Sequence, residues 1–463
     1  VQIVSRILAT PDRFRSGKSW IARGRPFQFF CNGDESVEID LVGVSKGDIL
    51  TENNFRHNVS LTSHMLPLPT NARPSLLRQL NEKSILQTLQ AKGPLSRAEL
   101  TRLTGISGPT VTRAILSLLE ARLVEEEESK LGLVGRPGKI VRLARSGVTL
   151  VGVVVGSRVC EIVRGNLEGH LHPDDHILIP TGSSYEELIE AIADPIRTWR
   201  TTLSEEILSV GVSLPGLFDS RAARSIASPN VPLTNGQFFG EDLRAALGGG
   251  LDVTVLQECD GLGLAEQLYG GARGESDFAI LDISDGMGLG VVEHGKLLEG
   301  HSGLAGEIGH VTVNLSGRRC GCGNLGCLET EATDNALLTR VSERLSTHHP
   351  KLVPEGGVTM PWLREAVTSG RVDVSAELPQ LSTYLSVAMS AVINIFNPRR
   401  LFVYGECFDL QSDLFEKTIV ATRQRTLRPS MDDCEILRTR ANKQLGALAA
   451  AIHPLTQRHE PAA

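Results

Sequence analysis

Hydrophobic and polar positions change their pattern twice along the chain. The first seventy residues carry scattered arginines and aromatics (Phe27, Phe29, Phe30) with no sustained period. They begin with Val rather than Met, and Met65 stands just before the first organised segment, so residues 1–70 are expected to be a disordered extension or the product of a misplaced start. From Pro74 the order sharpens: Leu76, Leu77, Leu80, Ile85, Leu86 and Leu89 recur at helical spacing. Gly93-Pro94 stops that helix, and Ser96-Arg97-Ala98-Glu99 is a capping box that opens another over Arg97–Thr104, with Gly105 as its left-handed stop. A further helix runs from Pro109 through Leu119. Two short helices joined by a glycine-containing turn predict a helix-turn-helix. Leu123-Val124 and Ile140–Leu143 then predict two strands around the basic tip Gly135-Arg136-Pro137-Gly138-Lys139, which reads as a β-wing.

After Gly147 strands alternate with helices. Val148–Val155 is almost unbroken in β-branched residues, as in a strand buried on both faces. Ile162-Val163, His176–Ile179, Ile207–Leu214, Val253–Gln257, Phe278–Ile283 and Leu401–Val403 predict more strands, and Tyr185–Leu203 predicts a helix. The fold class is α/β, and 463 residues suit two or three domains.

Charge adds a partner to this outline. Residues 71–147 hold 13 Lys and Arg against 7 Asp and Glu, a balance of +6 in a chain whose total is −7. A small basic module on an acidic body fits binding of double-stranded DNA. In a helix-turn-helix the start of the second helix enters the major groove, so Ser107, Thr110, Thr112 and Arg113 are the candidate contacts to bases and phosphates. Arg136 and Lys139 at the wing tip are candidates for phosphate. The acidic run Glu125–Glu128 would be repelled by phosphate and is expected to face away from DNA. No apolar run approaches the roughly 20 residues of a membrane span, so no membrane insertion is expected.

The strongest chemical signal is Gly306–Glu329, GEIGHVTVNLSGRRCGCGNLGCLE. His310, Cys320, Cys322 and Cys327 form a thiolate–imidazole set that can close a tetrahedral Zn²⁺ site with no position left for water. The eight cysteines are not spaced as a disulfide framework, and a metal cluster needs reduced thiols, so a cytoplasmic location is expected. Glu307 and Glu329 flank the cluster.

GEIGH followed by CGCGNLGCLE resembles the signature of the ROK family, which groups sugar kinases with sugar-responsive transcriptional repressors. The resemblance implies a two-lobed actin/hexokinase-like (ribonuclease H-like) domain over 148–463. The stretch from Ser96 to Lys139 resembles the winged helix of ROK repressors, which the kinases lack, and sets a DNA-binding domain at 71–147.

The phosphate loops separate the two activities. A kinase of this fold carries an Asp and a glycine-rich turn after its first strand, but here the stretch reads Val151-Gly152-Val153-Val154-Val155-Gly156-Ser157-Arg158, with Val in place of the Asp. The second loop reads Ser284-Asp285-Gly286-Met287-Gly288-Leu289-Gly290, where Asp285 would repel a triphosphate and the glycines read as packing residues. Loss of kinase activity is therefore expected.

In sugar-binding relatives the hydroxyls are held by the Asp of an E-N-D motif, by the Glu and His of G-E-x-G-H, and by the Glu after the last Cys. The resemblance assigns these roles to Asp260, Glu307, His310 and Glu329, and Ser228-Pro229-Asn230-Val231 adds Asn230 as a sugar-facing residue. The E-N-D motif reads Glu258-Cys259-Asp260, and the helix after it is two residues shorter than is usual in the family. The whole implies a repressor of carbohydrate genes that acts as a homodimer or homotetramer, with a sugar or sugar phosphate as effector. The alternatives are a sugar kinase with a fused DNA-binding domain and a regulator controlled by a protein partner.

Overall fold

The computed structural model describes residues 74–128 and 139–456, together with four short strands before them (Trp20–Ile21, Phe27–Cys31, Glu35–Ile39 and Ile49–Leu50). The expectations for the remainder of 1–70 and for Arg136 lie outside the described residues. The chain divides into Val1–Leu77 and Arg78–Ala463. In the first unit Trp20–Ile21 pairs with Ile49–Leu50, and Phe27–Cys31 with Glu35–Ile39, both antiparallel.

The second unit begins within helix α1 (Pro74–Lys92), followed by strand β1 (Leu95–Ser96) and helices α2 (Arg97–Thr104) and α3 (Gly108–Glu120). The capping box forms as read: the Ser96 hydroxyl accepts from the Glu99 amide at 3.2 Å, and Glu99 accepts from the Ser96 amide at 2.9 Å. Gly105 ends α2 at φ 70°, a conformation glycine takes without a Cβ penalty. Strands β2 (Val124–Glu128) and β3 (Lys139–Leu143) pair antiparallel, and the sheet order is β1-β3-β2. Val111, Ala114, Ile115 and Leu118 turn one face of α3 into the core, which leaves Ser107 and Arg113 exposed on the other.

Beyond Gly147 stand two five-stranded sheets of matching order. The first runs β6-β5-β4-β7-β8, from β4 (Val148–Val154), β5 (Val159–Gly165), β6 (Leu171–Pro180), β7 (Glu206–Leu214) and β8 (Asp252–Gln257). Strand β5 pairs antiparallel with both β4 and β6, and β4, β7 and β8 are parallel. Helices α4 (Tyr185–Thr202) and α5 (Phe239–Ala246) cover it. Helix α6 (Glu258–Tyr269) leads to the second sheet, whose order is β11-β10-β9-β12-β13. Here β9 (Phe278–Asp282), β10 (Gly288–Glu293) and β11 (Lys296–Leu297) are antiparallel, and β12 (Arg400–Tyr404) and β13 (Glu435–Arg438) continue in parallel from β9. Around it pack α7 (Leu328–Glu331), α8 (Asp334–His348), α9 (Met360–Thr368), α10 (Leu378–Phe396) and α11 (Leu414–Arg423). The repeated order gives the two lobes one topology, a duplication with no counterpart as a short repeat in the sequence.

The last described helix, α12 (Lys443–Thr456), crosses the back of the first sheet. Gly211, set in the β-branched run of β7, explains itself here: a Cβ on it would lie 2.0 Å from the Ala447 carbonyl oxygen. The strand therefore needs glycine so that the helix backbone can lie directly on it. Leu448, Ala451 and Ile452 of α12 join Ile85, Leu89, Leu118 and Val141 in a single buried cluster, so the winged helix and the first lobe share a core. Among the described residues no helix is long and apolar enough to cross a membrane.

Candidate functional site

The loop between β11 and α8 folds back on itself. Gly306 takes φ +90°, and a Cβ there would lie 1.9 Å from the Leu289 carbonyl oxygen, so only glycine lets the loop lie on β10. The next residues form one 3-10 turn, Ile308–His310, with Glu307 at its start. A bridge between Thr312 and Cys327 returns the chain, and the turn closed by Cys320 N to Asn324 O at 2.8 Å carries Cys322. Cys327 caps α7, whose first turn presents Glu329.

These folds bring His310, Cys320, Cys322 and Cys327 together with all four donor atoms within 4.8 Å of one another. His310 Nδ1 lies 3.5 Å from the Cys320 sulfur, and the sulfurs of Cys322 and Cys327 are 3.8 Å apart. Tetrahedral zinc with Zn–S bonds of about 2.3 Å separates its sulfurs by about 3.8 Å. The residues present can therefore hold a metal ion of that size and softness. His310 Nε2 points the other way, 3.7 Å from a Glu307 oxygen, and the Cys320 thiol lies 3.6 Å from Glu329. The metal group thus touches both flanking acids.

Beside it opens a cavity of about 360 Å³. Asn230, Glu307, His310 and Glu329 line it, so four of the five sugar-site residues read from the sequence converge. Glu307 Oε1 accepts from the Gln257 amide at 2.9 Å, and Glu329 accepts from the Met287 amide at 3.4 Å. Burial raises the Glu307 carboxyl above its ordinary range.

Asp260 is not among the lining residues. It sits one turn into α6, where burial first, and then the charges of Glu299 and Glu307, push its carboxyl up to about 7. The end of β8 instead presents Gln257 and Glu258 to the cavity, with Asp282 from the end of β9. Sequence reasoning missed these residues. The signal was the apparent shortening of α6: counted back by those two residues, the motif's last two positions fall on Gln257-Glu258 and not on Cys259-Asp260. Lys443, also missed, reaches from α12 to Glu258 at 2.9 Å and to Asp282 at 3.9 Å.

Of the two stretches read as phosphate loops, the first is buried at Val153, Val154 and Val155, and the second lines the cavity at Gly286, Met287 and Gly288. A Cβ on Gly288 would lie 3.0 Å from Cys259 Cβ, one on Gly290 2.9 Å from Ile280, and one on Gly286 2.9 Å from Glu329, so all three glycines accommodate protein atoms.

At the winged helix, Ser107 and Thr110 hydrogen-bond one another at 2.9 Å, Thr112 is half-buried and Arg113 is exposed. The acidic run is neutralised from within. Glu126 pairs with Arg97 at 2.7 Å and Lys139 at 3.0 Å, and buried Arg142 pairs with Glu125, Glu127 and Glu168. Lys139 therefore already has a carboxylate partner.

Residues 150–455 match the ROK family. The chain belongs to it. Residues 78–132 match the MarR family, as a winged helix ahead of the ROK domain requires. The DNA-binding transcriptional dual regulator NagC of Escherichia coli K12 is 27% identical over 364 residues, 78% of this chain and 85% of NagC. The xylose repressor of Bacillus subtilis is 26% identical over 338 residues, 72% of this chain and 83% of the repressor. Among solved structures, a ROK family transcriptional regulator homologous to the E. coli MLC protein superposes with a TM-score of 0.68 at 25% identity, covering 82% of this chain and 97% of that one. A ROK glucokinase from Streptomyces griseus shares the ROK-domain fold, with a TM-score of 0.55 at 21% identity over 65% of this chain and 98% of the glucokinase.

Proposed function

We propose that this ROK protein is a DNA-binding transcriptional repressor of carbohydrate genes. Its operator affinity is set by a sugar or sugar phosphate in the cavity beside a structural zinc. The observation that carries this reading is the pairing of a winged helix with a ROK domain in which Asn230, Glu307, His310 and Glu329 line one cavity. Buried Val154 in place of the first loop's Asp and the Asp285 carboxylate in the second favour sensing over phosphoryl transfer. Relatives named as repressors of N-acetylglucosamine and xylose genes support the same class.

Carboxylates suit the work because each oxygen accepts hydrogen bonds from adjacent hydroxyls. His310 binds the metal through Nδ1 and keeps Nε2 for Glu307 or a ligand oxygen, which orients both groups. Zinc held by His310, Cys320, Cys322 and Cys327 supplies no chemistry in this scheme; four protein ligands leave no open position. Exposed Ser107, Arg113 and neighbouring Thr110 and Thr112 meet the major groove, and Lys139 of the wing approaches phosphate. In a homodimer or homotetramer, a ligand that favours one lobe arrangement changes the separation of the winged helices and hence operator affinity.

The test is operator binding by gel shift, on DNA selected from a random pool, across a panel of sugars and sugar phosphates. A several-fold change with one of them is expected. Absence of DNA binding with every one of them, and without any, would sink the proposal.

A further inference from the structure

Lys443 belongs to neither the metal cluster nor the sugar-facing residues, yet it lies where three parts of the molecule meet. Its ammonium is 2.9 Å from Glu258 at the start of α6 in the first lobe and 3.9 Å from Asp282 at the end of β9 in the second. Both carboxylates line the cavity. An ammonium 15% exposed and set between two carboxylates is strongly held, because removing it leaves the acids facing one another in a poorly solvated place.

Lys443 is also the first residue of α12, whose 14 residues span about 21 Å. This helix is clamped along its length. A Cβ on Gly446 would come 3.1 Å from the Gly261 carbonyl carbon in α6, and the Ser209 hydroxyl donates to the Ala451 carbonyl at 2.7 Å. Its far half, Leu448, Ala451 and Ile452, lies in the core that continues into Ile85, Leu89 and Leu118 of the winged helix. Helix α6 runs alongside; just past its end Arg273 donates to the Gln90 carbonyl of α1 at 2.8 Å. Helices α6 and α12 lie backbone against backbone at Gly261 and Gly446, so a displacement of one is passed to the other.

The junction they reach is incompletely satisfied. The side-chain amide of Gln90, 4% exposed, and the hydroxyl of Tyr269 are buried without hydrogen-bond partners in the protein. Both residues line a cavity of about 290 Å³ between α1 and the end of α6, which leaves the junction room to shift.

We infer that Lys443 is a positioning residue: it fixes the cavity acids Glu258 and Asp282 and, through α12, ties them to the winged helix. On the sugar-sensing reading above, a ligand hydroxyl that takes Glu258 from the ammonium loosens the start of α12 and is felt at the DNA-binding module.

The tie itself can be tested without ligand or DNA, by hydrogen–deuterium exchange on the full, metal-loaded chain. In Lys443→Met, amides of α12 and of α1 from Ile85 onward are expected to exchange at least about threefold faster, with α8 unchanged. Lys443→Arg should restore the protection. Acceleration confined to the cavity floor, or spread uniformly over both lobes, would overturn the inference. Should Lys443→Met not fold, Asp282→Asn weakens the same bridge, and a smaller change in the same amides is expected; no change there would overturn it equally. A sugar panel that leaves operator binding unmoved would remove the sensing reading and leave this exchange result standing.

Discussion

His310 Nε2 stands 3.7 Å from Glu307 while its Nδ1 faces the Cys320 sulfur at 3.5 Å, so one imidazole joins the metal group to the ligand cavity. Whatever orders the cysteines therefore orders the acid.

That link predicts the outcome of breaking the metal group. Cys327→Ser replaces one of the four candidate metal ligands, a buried cysteine at the N-cap of α7. Metal affinity is expected to fall by more than the roughly 10–100-fold typical of losing an outer-shell partner. Metal analysis should show substoichiometric zinc, and thermal unfolding should begin several degrees lower, because metal binding and folding are coupled. A variant without metal that keeps wild-type stability and sugar response would refute the structural role.

Asp260 gives a pH signature. Its folded-state carboxyl is raised to about 7, chiefly by burial, so the folded protein holds a proton that the unfolded chain releases near pH 4. This contribution to stability is full below the unfolded value and is lost as pH rises through about 7. Asp260→Asn removes the titrating charge, and unfolding in urea at pH 5, 6, 7 and 8 should show a smaller decline for the variant than for the wild type. The difference at pH 8 is expected to be on the order of 1–3 kcal/mol. Parallel pH profiles would contradict it.

The winged helix separates two basic residues that the sequence treats alike. Arg113 is exposed on α3, whereas the Lys139 ammonium lies 3.0 Å from Glu126. Arg113→Ala is expected to weaken operator binding by about 1–3 kcal/mol. Lys139→Ala should cost less, because binding phosphate must first draw the ammonium from its carboxylate. Anisotropy titrations at several salt concentrations give both the affinities and the number of phosphates engaged. Equal losses would place Lys139 on the DNA despite its partner.

ATP-dependent phosphorylation of hexoses is expected to stay at background in a coupled assay. Val154→Asp should not create it, because Val154 is buried and its replacement would desolvate a carboxylate. A fall of several degrees in melting temperature with no gain of activity is the expected pair of results. Measurable turnover by the unmodified chain would favour the kinase alternative.

Much was legible in the sequence because it depends on near neighbours. Ser96 and Glu99 are three residues apart, and Gly105 needs only its own backbone angle, so α2 begins and ends where its residues require. His310 and the three cysteines lie within 18 residues, so their spacing alone brought a metal group into view. The acidic run beside the wing was harder: its partners Arg97 and Lys139 come from different elements, and Arg142 also reaches Glu168 beyond the wing.

The sequence by itself determined the local elements, the basic module and the cluster of soft ligands, since periodicity, capping and close spacing are properties of short stretches. Only the tertiary structure decided which acids share a cavity. It set Gln257 and Glu258 on the cavity in place of Asp260, which depends on how α6 enters the fold and not on the residues near it in sequence. It also placed Lys443 between Glu258 and Asp282, partners 185 and about 160 residues away in the chain, a contact that only packing of the two lobes creates.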